Sequence, residues 1–140
     1  MTTLKQDDDI RELLEDSKVV AVIGHSDKPF RTSYQIAKYM QRAGYRIYPV
    51  NPMVDQIDGE KSYASLADVP EPIDIVDVFR RSEHLDQIVA DSIDVGAKSV
   101  WTQLGVVDPM AEERANKSEM PIVIDRCIKV EHRRLGLSGS

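Results

Sequence analysis

One segment near the start of the chain, VVAVIGHSDKPFRTSYQIAKYM, limits the possible folds more than any other. Val19–Ile23 is an unbroken apolar run, typical of a central parallel strand covered on both faces. Gly24 ends this run and permits a tight turn, and Thr32 or Ser33 is expected to cap the helix that follows. The free N–H groups of such a helix bind phosphate, and Arg31 adds a cationic fork beside them. The segment therefore predicts a strand, an anion-binding turn and a helix.

Further apolar runs repeat the strand pattern along the chain. They lie at Arg46–Val50, Ile73–Phe79, Lys98–Thr102 and Ile122–Ile124. Helical patterns separate most of them: the first ends at Gly44, the next runs from Ser82 towards Gly96, and another begins at Asp108. Between residues 53 and 72 only a short helical turn is expected. The alternation predicts an α/β, doubly wound, three-layer Rossmann-like domain with a mainly parallel five-stranded sheet.

The chain has 140 residues, enough for one domain with its own core. Ile10, Leu13 and Leu14 recur at helical spacing, which predicts that residues 1–17 form a helical extension packed on the sheet. Residues 18–135 are then the Rossmann-like domain. The last residues, 136–140, are expected to be a flexible tail.

Composition narrows the classes of function. A formal net charge of -6 argues against a general nucleic-acid binder. Cys127 is the only cysteine, which excludes an internal disulfide framework and a cysteine-rich zinc site and favours a cytoplasmic location. No stretch has the length of a membrane span, and the acidic start does not resemble a signal peptide. A protein partner or a homo-oligomer remains open.

Candidate binding residues follow the predicted strands, where parallel strands bring their carboxyl ends to one edge of the sheet. These residues are Gly24, His25 and Ser26 after the first strand, Asn51 and Pro52 after the second, Phe79, Arg80 and Arg81 after the third, and Gln103 to Gly105 after the fourth. The first turn is either a phosphate site or simply a strand-to-helix connection. Arg80 and Arg81 bind phosphate, pair with acids such as Glu83, or simply remain exposed. Phe79 is expected at the rim of a groove.

Familiar nucleotide motifs are absent from these turns. After Gly24 the dinucleotide fingerprint has no second or third glycine, and Asn51 stands where an NAD-binding domain usually has an acid. A phosphate-binding loop of the NTPase type is missing as well. A receiver domain is disfavoured because the first strand lacks an acid pair, and Asp77 is then a structural residue.

No catalytic residue or metal site is predicted. His25 lies near the expected pocket and is a candidate for hydrogen bonding to a ligand, but the sequence gives it no catalytic partner. Cys127 is more typical of a packed thiol than of a nucleophile, although a mixed disulfide with a ligand thiol stays open.

Four segments together, GHSDKPFRTSYQIAKYMQRAGYRIYPVNP, VDVFRRSEH, GAKSVWTQLGVV and DRCIKVEH, resemble the small stand-alone CoA-binding proteins. That family is similar to the CoA-binding domain of the succinyl-CoA synthetase alpha subunit, and the resemblance runs from about Lys18 to Leu135. It implies phosphate contacts at Gly24, Ser26, Arg31 and Ser33 and nucleotide contacts near Asn51 and Pro52. It also implies a groove for the pantetheine arm formed by Val78, Phe79, Arg80, Thr102, Gln103 and Gly105.

The resemblance implies binding of the cofactor rather than ligation. The ligases have an acid near the position of Gln103, and no segment here resembles their nucleotide-grasp domain or phosphohistidine helix. The leading hypothesis is noncovalent binding of coenzyme A or an acyl-CoA. Two alternatives stay open: an enzyme of this fold that acts on a nucleotide or thioester, with His25 and Cys127 as reactive groups, and an interaction module that senses CoA.

Overall fold

The computed structural model describes residues 2–137. The α-helices in this part of the chain are α1 (Asp7–Asp16), α2 (Thr32–Arg42), α3 (Leu85–Asp94), α4 (Pro109–Lys117) and α5 (Ile128–Arg134). The strands are β1 (Val19–Ile23), β2 (Arg46–Val50), β3 (Gln56–Ile57), β4 (Glu60–Lys61), β5 (Ile75–Val78), β6 (Val100–Thr102) and β7 (Ile122–Val123). Short 3₁₀ turns lie at Leu66–Asp68 and Ser82–His84. Within residues 2–137, no helix combines the length and apolar character that a bilayer span requires.

Five strands form one parallel sheet in the order β2-β1-β5-β6-β7. Val20 of β1 lies opposite Ile47 of β2 on one side and Ile75 of β5 on the other. The chain therefore moves outward in one direction from β1 to β2 and in the other direction from β5 onward. This reversal lies between β1 and β5, which is where doubly wound sheets bind their ligands. The predicted α/β fold with a five-stranded parallel sheet is confirmed.

Two apolar clusters cover the two faces of this sheet. Alternate strand residues point to opposite faces, so Val20 and Val22 belong to one cluster and Ala21 and Ile23 to the other. The first cluster is completed by buried residues of α1, α2 and α5, namely Ile10, Leu14, Ile36, Ala37, Met40 and Ile128. The second is completed by buried residues of α3 and α4, namely Leu85, Ile88, Val89, Ala111 and Ala115. Helices on both faces give the three layers that the sequence predicts.

The strands after β2 are shorter than predicted. β5 begins at Ile75 instead of Ile73, and the Asp74 carboxylate just before it bonds to the start of β1. Its Oδ2 accepts from the backbone N–H of Lys18 at 2.8 Å and of Val19 at 3.0 Å. β6 and β7 contain only Val100–Thr102 and Ile122–Val123. These differences leave the carboxyl ends of the strands close to their predicted positions.

The sequence analysis missed the hairpin of β3 and β4 and the helix α5. β3 and β4 form a hairpin around Asp58 and Gly59, whose φ values of +51° and +83° are typical of an Asp-Gly hairpin turn. α5 follows β7, and its first residue Ile128 is fully buried. Of the tail that was expected to be flexible, Gly136 and Leu137 are described, and the Leu137 N–H donates to the carbonyl of His132 at 3.1 Å. Residues 138–140 lie outside the described part of the chain.

Candidate functional site

Gly24 forms the tight exit from β1. Its φ of +85° lies in the left-handed region, and a Cβ atom here would come 2.6 Å from the carbonyl oxygen of Phe79. The Gly24 N–H donates to the carbonyl of Val50 at 3.0 Å, which ties the turn to β2. The exits of β1, β2 and β5 therefore meet at this residue, and only glycine fits there without displacing the backbone.

The start of α2 differs from the predicted capping arrangement. Arg31, with an extended backbone, occupies the N-cap position and its side chain makes no capping hydrogen bond. The prediction that Thr32 or Ser33 caps the helix is wrong, because both residues lie inside its first turn. The Ser33 hydroxyl instead accepts a hydrogen bond from the backbone N–H of Ser26 at 3.0 Å. The helix therefore begins without a side-chain cap at its N-cap residue, which favours an anion at this end.

A cavity of about 430 Å³ lies at this helix end, and we call it the anion cradle. It is lined by Gly24, Ser26, Lys28, Arg31, Thr32, Ser33 and Phe79. The Ser26 hydroxyl accepts from the backbone N–H of Lys28 at 3.0 Å, which stabilises the loop. Lys28 and Arg31 are exposed, and the Arg31 guanidinium lies 5.6 Å from the centre of the Phe30 ring. A helix end and two cations make this cavity suitable for a phosphate group.

A second cavity, the polar groove, lies at the exits of β1, β2 and β5 and has a volume of about 480 Å³. It is lined by Ile23, Gly24, Val50, Asn51, Pro52, Met53, Ala64, Ser65, Leu66, Phe79, Arg80, His84, Gln87, Ile88 and Asp91. The Asn51 amide nitrogen donates to the carbonyl of His25 at 2.9 Å, and its side-chain oxygen accepts from the Met53 N–H at 3.0 Å. Nη2 of Arg80 lies 3.1 Å from Nε2 of His84. The groove thus presents polar side chains beside apolar ones.

A third cavity, the apolar groove, has a volume of about 470 Å³. It is lined by Thr32, Ile36, Phe79, Arg80, Arg81, Gln103, Leu104, Gly105, Val106 and Cys127. Its floor includes Gln103, which is buried and bonded at both ends of its amide. Nε2 donates to Oδ1 of Asp77 at 2.5 Å, and Oε1 accepts from the N–H of Ile128 at 3.4 Å. Burial raises the pKa of Asp77 to about 7, while the hydrogen bond from Gln103 acts to lower it.

The cavities form one continuous strip along the carboxyl edge of the sheet. Phe79 lines all of them, Gly24 lines both the cradle and the polar groove, and Thr32 lines both the cradle and the apolar groove. Most of the candidate residues named from the sequence line this strip: Gly24, Ser26, Arg31, Thr32, Ser33, Asn51, Pro52, Phe79, Arg80, Arg81, Gln103 and Gly105.

The side chains of His25, Val78 and Thr102 lie away from the strip. The His25 ring is 2% exposed, and its Nδ1 donates to the carbonyl of Ser26 at 2.8 Å. Burial lowers the pKa of His25, so the ring is neutral at physiological pH. Val78 belongs to the core, and the Thr102 hydroxyl donates to the carbonyl of Val106 at 2.8 Å. Alternation along the strands explains Val78 and Thr102, because their side chains point into a layer instead of toward the edge.

Comparison with known families identifies the group to which this chain belongs. Residues 18–133 match the family model described as a CoA binding domain, and this range includes the whole five-stranded sheet. The chain belongs to the CoA-binding domain family. The family indicated by the sequence resemblance is thereby confirmed.

Several relatives of this CoA-binding domain are covered by it over nearly their whole length. The uncharacterized protein YneT of Bacillus subtilis is 44% identical over 124 residues, covering 89% of this chain and 92% of YneT. A solved hypothetical protein of Pyrococcus horikoshii has a TM-score of 0.91 and 38% identity, covering 94% of this chain and 92% of its own. A structure from Thermus thermophilus has a TM-score of 0.89 and 36% identity, and the match covers 94% of this chain and 99% of the Thermus chain.

One relative is a larger enzyme subunit. The alpha subunit of the ADP-forming acetate–CoA ligase II of Pyrococcus furiosus is 28% identical over 132 residues, which is 86% of this chain. That match spans only 29% of the ligase subunit. The chain therefore corresponds to one portion of the ligase subunit.

Sequence reasoning missed several residues that line the strip in this CoA-binding domain. Ile36 and Val106 line the apolar groove but were not among the candidates, whereas Leu104 lies within the predicted range Gln103 to Gly105. Cys127 is half-buried and comes shortly after β7. The sequence analysis considered Cys127 as a packed thiol or as a group that reacts with the ligand, but did not list it as a binding residue. The rule that ligands bind beyond the strand ends also applies to the fifth strand, and it places Cys127 among the binding candidates. Ile36 carries no such signal, because its helical spacing predicts only a core position.

Proposed function

We propose that the protein binds coenzyme A, free or acylated, along this strip without forming a covalent bond. The observation that carries the proposal is the anion cradle, in which Lys28 and Arg31 flank the start of a helix whose N-cap side chain makes no capping bond. A diphosphate group fits this combination of charge and backbone donors. Membership of the CoA-binding domain family supports coenzyme A as the source of the diphosphate.

The neighbouring cavities suit the other parts of the cofactor. We assign the adenosine portion to the polar groove near Asn51 and Pro52, and the pantetheine arm to the path across Phe79. Val78 and Thr102 would contribute only through the position of their strand ends, because their side chains are buried. His25 would act in the same indirect way, since its carbonyl accepts the hydrogen bond from Asn51.

The proposed role is binding without a reaction. The ring of His25 is buried outside the strip, so it is not placed to act as a base on a bound ligand. We further propose a cytoplasmic location, because the single cysteine of the chain, Cys127, is a free thiol.

Calorimetric titration of ligand-stripped protein tests the proposal. We expect saturable binding of CoA, with weaker binding of dephospho-CoA, ATP and NAD at the same salt concentration. Arg31→Ala should weaken CoA binding by roughly 10- to 150-fold, because a charged hydrogen bond to phosphate contributes about 1.5–3 kcal/mol. The melting temperature should hardly change, since Arg31 is exposed.

Arg42→Ala is the matched control for this variant. Arg42 is an exposed arginine at the opposite end of the same helix, so its loss changes the net charge equally but lies far from the cradle. Its effect on CoA affinity should stay within about twofold. The absence of saturable CoA binding would reject the proposed function. Equal losses in the two variants would reject the cradle as the phosphate site.

A further inference from the structure

We propose that the apolar groove binds the acyl group of an acyl-CoA, so that the protein binds thioesters more tightly than free CoA. The proposal rests on the proposed function, because it requires the phosphates of the same ligand to lie in the anion cradle. It assigns to the groove a ligand of definite chemistry: a short alkyl chain attached through a thioester to the end of the pantetheine arm.

The lining of the apolar groove fits an alkyl chain. Five of the residues that line this cavity have apolar or thiol side chains: Ile36, Phe79, Leu104, Val106 and Cys127. Pantetheine itself carries amide and hydroxyl groups, which need hydrogen-bonding partners when they leave water. An alkyl chain needs none and gains free energy from the loss of water contact. The groove is therefore better suited to the acyl group than to the arm.

The polar groups at the floor of this groove are already engaged. Both ends of the Gln103 amide are hydrogen bonded, to Asp77 and to the N–H of Ile128. The backbone N–H of Gly105 donates to Oδ1 of Asp125 at 2.7 Å. A polar ligand would have to break the bonds of Gln103 to find partners at this floor, and breaking a buried hydrogen bond is unfavourable.

The groove lies where the end of the ligand would arrive. Thr32 and Phe79 line both the anion cradle and the apolar groove, so a ligand held by its phosphates at β1 reaches the groove by crossing β5. Leu104 lies at the mouth and is 68% exposed, an apolar side chain that an alkyl chain would cover. Arg80 and Arg81 also line this cavity.

A series of CoA derivatives that differ only in the group on the thiol sulfur tests the proposal. Calorimetry would compare S-methyl-CoA, acetyl-CoA, butyryl-CoA and hexanoyl-CoA at one salt concentration. We expect affinity to rise by up to about fourfold for each added methylene until the groove is filled. Leu104→Asn should reduce this gain while leaving S-methyl-CoA binding unchanged within about twofold. Met110→Asn is the control, because Met110 is 69% exposed, close to the 68% of Leu104, and does not line the groove.

Cys127 gives a second readout, since it is the only cysteine and lines the groove. Its alkylation by iodoacetamide, followed by mass spectrometry at equal saturation, should be slower with hexanoyl-CoA than with S-methyl-CoA. Binding of S-methyl-CoA with no gain from the chain, and with equal protection of Cys127, would overturn this inference alone. Failure of every ligand to bind would overturn the proposed function and this inference with it.

Discussion

The anion cradle and the apolar groove lie side by side on one sheet edge and share Thr32 and Phe79, yet they present opposite chemistry. In the cradle the loop satisfies its own polar groups, and among the described residues Lys28 and Arg31 pair with no acid. In the apolar groove, hydrogen bonds to distant residues engage both ends of the Gln103 amide at the floor, and Ile36, Leu104 and Val106 add apolar lining. The comparison shows that internal hydrogen bonding decides which chemistry a strand exit offers.

The largest effect we expect concerns the carboxyl group beneath the apolar groove. Burial raises the pKa of Asp77 from 3.8 to about 7 in the folded state. Between these pH values the unfolded carboxyl loses its proton while the folded one keeps it, so stability falls as pH rises. Relative to Asp77→Asn, the free energy of unfolding of the unmodified protein should fall by up to about 4 kcal/mol over this range. Urea unfolding at several pH values measures the difference.

The asparagine variant keeps an acceptor for Gln103, so it isolates the titration from the hydrogen bond. If the free energies of unfolding of the two proteins change in parallel from pH 4 to pH 7, Asp77 has an ordinary pKa in the folded protein. Water would then reach the floor of the groove.

The next largest effect is expected when one glycine is replaced in each region, Gly24 in the anion cradle and Gly105 in the apolar groove. Gly24→Ala should lower the free energy of unfolding by roughly 3 kcal/mol and abolish CoA binding, because the new Cβ meets the Phe79 carbonyl at 2.6 Å and φ is +85°. Gly105→Ala has a similar φ of +83°, but nothing lies within 4 Å of its Cβ position. It should cost only about 1 kcal/mol. Urea unfolding measures both variants. Equal losses of unfolding free energy would mean that backbone strain alone, and not the close approach of the strands, requires Gly24.

The smallest effect is expected from a comparison of two amide side chains, Gln103 after β6 and Asn51 after β2. Gln103→Ala leaves the buried Asp77 and the Ile128 N–H without their partner and should lower the free energy of unfolding by roughly 2–3 kcal/mol. Asn51→Ala removes bonds to His25 and Met53 at a half-buried position, where water can replace them, and should cost about 1 kcal/mol. Denaturant titration at one pH compares the two variants. The reverse order would contradict the view that polar groups under the apolar groove are the more strongly satisfied.

Local patterns account for the parts of the fold that were predicted. Val19–Ile23 and Arg46–Val50 have the predicted bounds, because an apolar run or a flanking glycine marks each of them in the sequence. The Asp58-Gly59 hairpin was equally visible but was not recognised. For α2, the predicted cap was wrong by a residue or two, since serine and threonine also occur inside the first turn.

The sequence by itself determined the order of the strands and helices, the glycine turn after β1 and the residues that reach the carboxyl edge, because these depend on neighbours a few positions apart. Only the tertiary structure decided the character of each cavity. Gln103 becomes an inert part of the apolar groove because Asp77 and Ile128, which lie 26 and 25 residues away, bind its amide. The ring of His25 turns away from the strip and packs against Tyr34 on α2. Such outcomes depend on which distant groups satisfy one another when the layers pack, and local periodicity carries no information about that.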